Sequence, residues 1–132
     1  MTRNDFDYYM FRVIEAGREQ INARHVITDP KSEMPEIKRE KERLQHFAEV
    51  ADEALDEMCD KVGRNKLSNN DYNMIEMFVQ GIWGCESRKA RMYKTMLDTD
   101  NERIRVAAVI KLKMAETEEK ELLDKLFLWL NK

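Results

Sequence analysis

An all-α fold is what this sequence predicts, and three observations carry the prediction. Apolar residues recur three and four apart through nearly the whole chain, the spacing of one face of a 3.6-residue helix. No segment alternates apolar and polar residues with β-branched enrichment, as a half-buried strand would. Glycine and proline are scarce, four and two in 132 residues, so few positions interrupt a helix.

Phe6, Tyr9, Met10, Val13, Ile14, Gly17 and Ile21 form the first stripe and predict a helix from about Asp5 to His25. Thr28-Asp29-Pro30-Lys31-Ser32 ends it, because the residue before a proline is pushed out of the helical region. A second helix begins near Ser32 to Pro35. Ile37, Leu44, Phe47, Ala48, Ala51, Ala54, Leu55, Met58 and Val62 hold one face until Gly63 stops it. Its roughly 28 residues span about 42 Å at 1.5 Å per residue. The first third, Pro35 to Arg43, is nearly all charged and is expected to project into solvent, which favours an oligomer or a partner helix.

The second half reads as four shorter helices. Ser68-Asn69-Asn70-Asp71 supplies N-cap chemistry for Tyr72, Ile75, Phe78, Val79, Ile82 and Trp83, with Met74 and Met77 beside them. Gly81 and Gly84 are expected to break that helix, and Ser87 to cap a fourth over Arg88–Leu97 with Ala90, Tyr93 and Leu97 inward. Asp98-Thr99-Asp100 would cap a fifth over Asn101–Ala115, burying Ile104, Ala107, Ala108 and Leu112. Thr117 would cap a sixth through Leu122, Leu123, Leu126, Phe127 and Leu130. The whole is expected to be one all-α domain over 1–132: a helical hairpin with one long helix over 1–63, packed on a compact bundle of about four short helices over 64–132.

Several function classes fall away. No apolar run approaches the ~18 to 20 residues of a membrane-spanning helix, and Met1 to Asp7 carries charge where a secretion signal needs apolar residues. A cytoplasmic, intracellular setting is therefore expected, with no membrane partner. Cys59 and Cys85 stand far apart without a CxxC pair, and only His25 and His46 accompany them, so no metal site, cofactor or catalytic residue is assigned. Phosphate-cradling glycine loops and GxSxG elbows are absent. Trp83 and Trp129 are read as core anchors. Nine methionines suit an adaptable binding surface as well as a core.

Charge is distributed unevenly along a chain whose net charge is -3. Residues 86–113 hold eight basic side chains, Arg88, Lys89, Arg91, Lys94, Arg103, Arg105, Lys111 and Lys113, against four acidic ones. Residues 1–62 hold ten basic against fifteen acidic. The basic segment is a candidate surface for phosphate or for a protein partner, with Arg88, Lys89, Arg91, Lys94, Arg103 and Arg105 as its contacts. Phe78 to Tyr93 has the outline of a helix-turn-helix, in which Ser87, Arg88, Lys89 and Arg91 would face the major groove. A second constellation, Glu49, Asp52, Glu53, Asp56, Glu57 and Asp60, places carboxylates three and four apart as an acidic ridge on the long helix. The basic segment could pair with that ridge, within one chain or between subunits.

Two resemblances attach to these residues. Glu49-Val50-Ala51-Asp52 resembles the second motif of the all-α nucleotide pyrophosphohydrolases, whose first motif would fall on Glu15 to Glu19, where Ala16 stands in place of a carboxylate. That resemblance implies Mg²⁺-dependent hydrolysis of nucleotides. Ser87 to Leu97, the Asp98-Thr99-Asp100 turn and Arg103 to Ala108 are similar to one HEAT-type helical hairpin, which implies a protein-binding scaffold, although no second copy is present. The reading the sequence supports best is a non-enzymatic interaction protein that acts through self-association or a protein partner. Nucleic-acid binding through the basic segment 78–113 and Mg²⁺-dependent nucleotide hydrolysis are its alternatives.

Overall fold

Four long helices take up nearly all of residues 1–132 in the computed structural model, and no strand is present. The protein is all-α. Helix α1 covers Arg3–Thr28, α2 Met34–Val62, α3 Asn69–Asp98 and α4 Glu102–Leu130. A short 3₁₀ turn at Arg64–Lys66 follows α2. Each long helix has 26 to 30 residues, about 39 to 45 Å. No helix is long and apolar enough to cross a membrane.

The ends of these helices follow from their cap residues. Thr2 accepts the Asp5 amide at 3.1 Å and opens α1. Pro35 sits in the first turn of α2, where its missing N–H costs nothing. Gly63 closes α2 at φ +105°, a conformation that L side chains rarely adopt. Asn101 opens α4 by accepting the amides of Arg103 and Ile104.

The chain divides into two compact units, Met1–Ser68 and Asn69–Lys132. In the first, a short turn joins α1 and α2 as an antiparallel hairpin. Phe6, Met10, Val13, Ala16, Gly17 and Ile21 of α1 and Ala51, Ala54, Met58 and Cys59 of α2 are buried. Arg12 pairs with Glu57 and Arg43 with Glu19 across the hairpin, which sets its register. Arg43 belongs to the charged segment expected to project freely, and Ile37 and Glu40 in that segment are half-buried. Helix α1 therefore reaches further along α2 than the sequence suggested.

The second unit is an antiparallel pair of two helices, where the spacing had suggested four. Helix α3 runs unbroken through Gly81, Gly84 and Ser87, and α4 through Ala115 and Thr117. The reason is energetic. A glycine inside a helix costs about 1 kcal/mol relative to alanine, which continued burial of Ile75, Val79, Ile82 and Cys85 outweighs. Gly81 also lies against Leu122, where an added Cβ would come within 3.2 Å of a leucine methyl. Thr117 does not cap a new helix; its hydroxyl donates to the Lys113 carbonyl at 3.0 Å within α4. Ala108, Leu112, Ala115, Leu126 and Leu130 complete the core from α4.

Candidate interaction surface

Six basic residues were candidates, and α3 and α4 give them different roles. Lys89 points into the hairpin. Its ammonium donates to Glu119 at 2.6 Å and lies 3.3 Å from Glu86, and both carboxylates are buried. Burial pulls the Lys89 ammonium down, but the hydrogen bond to Glu119 and the fields of both carboxylates outweigh it and leave its pKa raised. Arg105 is tied to the turn, donating to the Thr99 carbonyl at 2.8 Å and pairing with Glu102. Arg88 reaches across to Glu118 at 2.8 Å and donates to the Cys85 sulfur at 3.1 Å. Its guanidinium is raised chiefly by the hydrogen bond to Glu118. Arg91, Lys94 and Arg103 stand exposed.

The turn of the helix-turn-helix outline is not there. Phe78 to Tyr93 lies in the middle of α3, so Ser87, Arg88, Lys89 and Arg91 do not open a second helix. Tyr93 and Leu97, expected to face inward, are exposed, Leu97 at 85%. Residues 69–132 hold eleven basic and eleven acidic side chains, so this unit as a whole carries no net charge.

The acidic ridge on α2 is likewise partly engaged. Glu57 accepts from Arg12, while Arg64 pairs with Asp56 and Asp60 from beyond the helix end. Arg12 is raised chiefly by that hydrogen bond to Glu57. Glu49 accepts from Gln45 at 3.1 Å, and Asp52 and Glu53 are exposed. Glu15 and Glu19, where the first hydrolase motif would fall, pair with Arg18 and Arg43. No three His, Cys, Asp or Glu side chains converge where they could hold a metal ion.

Both cysteines are free and buried, and burial pushes each thiol up, away from the reactive thiolate. Trp129 is half-buried and donates from its indole to Asp71 at 3.0 Å, with Lys132 over the ring. Trp83 is half-buried as well, so neither tryptophan is a fully enclosed core anchor.

What the structure does bring together is a groove of about 780 Å³ along the α3–α4 pair. Met92, Ile110, Met114 and Ala115 supply its apolar surface. Arg91, Lys111 and Lys113 are basic residues of its rim, and Arg88 lies against Glu118 at the end that also holds Glu121. Ile110 is 55% exposed and Met114 65%, unusual for adjacent large apolar residues on one helix face. Of the six basic candidates only Arg88 and Arg91 belong to this groove; Met92, Met114, Glu118 and Glu121 are not among the residues the sequence analysis names. Their spacing was a readable signal, since Ile110, Met114, Thr117 and Glu121 recur four, three and four apart on a stripe separate from Ala108, Leu112 and Ala115.

Compared with known proteins, the chain matches no family model, no curated protein and no solved structure.

Proposed function

We propose that this chain is a non-enzymatic interaction protein whose binding surface is the α3–α4 groove. The observation that carries the reading is the pairing of exposed Ile110 and Met114 with charged residues of both signs along one open helix-pair face. Such a face suits an amphipathic helix laid in a groove, with anchors repeating every three and four residues and rim charges selecting the partner. Methionines add surface that adapts to what it meets. Phosphate recognition is favoured less, because Arg88, Lys89 and Arg105 are already engaged by carboxylates or backbone.

Site-specific photo-cross-linking in cells tests this reading. With Ile110 replaced by a photoreactive phenylalanine, a protein adduct of discrete mass is expected, and the same replacement at exposed Glu76 gives none. A nuclease-sensitive adduct would overturn the protein-binding reading in favour of nucleic acid. No adduct above the Glu76 control would remove the groove as a binding surface.

A further inference from the structure

The charges that α4 gives the groove change sign along its length, while Arg88 of α3 sits against Glu118 at the acidic end. On α4, Lys111 and Lys113 lie on the N-terminal side of Met114 and Ala115, and Glu118 and Glu121 on the C-terminal side. Rotating the helix end for end about that apolar centre exchanges its basic and acidic ends. We infer that the occupant of the groove is a second copy of the same chain, its α4 running antiparallel to the first and crossing it near Met114 and Ala115.

The register follows from the sequence. An antiparallel crossing midway between Met114 and Ala115 sets Lys111 level with position 118 of the second copy. Crossing at Ala115 sets it level with position 119. Either places Lys111 within three residues, about 4.5 Å along the axis, of both Glu118 and Glu121 of the second copy. The closed two-fold arrangement makes each of these pairings twice, so a modest charge match is doubled. Ile110 and Met114 then leave water against the apolar surface of the other copy. Glu118 already holds Arg88, yet its side chain is half exposed, so a lysine can approach it from the solvent side. A parallel arrangement would set lysine against lysine and glutamate against glutamate, which like-charge repulsion disfavours.

This inference rests on the groove being a binding surface, and its test separates the two claims. Sedimentation of the purified full chain over a concentration series is expected to give a mass twice the 15.8 kDa of one chain. Lys111→Glu and Glu121→Lys are each expected to weaken association about ten-fold or more. Glu121 is chosen over Glu118 because changing it leaves the Arg88–Glu118 pair intact. The double variant Lys111→Glu with Glu121→Lys re-forms the 111–121 pairing with its signs exchanged, while Glu118 is unchanged, and is expected to recover part of the association lost in either single variant. Circular dichroism on each variant separates lost association from lost folding; Lys111→Gln replaces any variant that fails to fold and is expected to weaken the dimer less than Lys111→Glu. A wild-type chain that is monomeric at every concentration overturns the inference, as does a dimer indifferent to both single changes or one that the double variant does not rescue. If the chain is monomeric while position 110 cross-links to a different protein, the groove keeps its binding role and the second copy is excluded.

Discussion

Glu86, Lys89 and Glu119 place two carboxylates and one ammonium inside the α3–α4 hairpin, where a single positive charge cannot neutralise both acids. Glu119 and Glu86 lie within hydrogen-bonding reach, but two ionised carboxylates are both acceptors, so a bond between them requires a proton. Lys89 donates to Oε2 of Glu119, and the buried Oε1 receives no N–H donor. Burial is the main cause that raises Glu119 from 4.5 to about 7, Glu86 adds to it, and Lys89 opposes it. A folded state that holds this proton more tightly than the unfolded chain is most stable below the ordinary glutamate range. It loses that stability as pH rises through about 7. The change amounts to about 3 kcal/mol between these limits. Denaturant titrations of the wild type at pH 5 and pH 8 should show the loss, and Glu119→Gln should flatten it. Lys89→Met leaves both carboxylates without a counter-charge, and the same titrations should show about 3 to 5 kcal/mol of destabilisation at pH 8.

At the scale of the element, the two glycines of α3 make predictions of different size. Gly84 is exposed in mid-helix and an added Cβ meets nothing within 4 Å, so Gly84→Ala should stabilise the hairpin by about 1 kcal/mol in thermal melts. Gly81→Ala should gain less, since Leu122 must first give way. Asn101→Ala removes the acceptor for two α4 amides and should cost about 1 kcal/mol. The same residues explain what was legible in the sequence. Helices α1 and α2 were read to within a few residues because a proline turn and a positive-φ glycine bound them. The breaks expected at Gly81, Gly84 and Thr117 do not form because each residue is only mildly unfavourable in a helix, and no proline accompanies any of them. The buried positions Ile75, Val79, Ile82, Cys85 and Glu86 carry one stripe through both glycines, which outweighs a local breaker. The groove was legible only in part. Its basic residues stand out as a charge excess, and Ile110 and Met114 form a stripe of their own by spacing, but the spacing alone does not say which of the two α4 stripes is buried.

Taken as a whole molecule, the chain pairs its helices as two antiparallel hairpins, and its acidic excess falls in the first: twelve basic against fifteen acidic residues over 1–68, and equal numbers over 69–132. Self-association through charged rims should weaken as salt rises, because exposed pairs are screened within about 8 Å at physiological ionic strength. An apolar centre at Met114 should keep the remaining dimer dependent on chain concentration, and apparent melting temperature should rise with it. The most direct test is a spin-label distance between copies, with the label on Lys125→Cys; Cys59 and Cys85 are buried and resist labelling. Position 125 lies ten residues from Ala115, so antiparallel α4 helices crossing there should hold the labels about 30 Å apart along their axes. A distance near 10 Å would mean a parallel pair, and no dipolar coupling would mean that the groove does not receive a second copy; either result would contradict the antiparallel dimer.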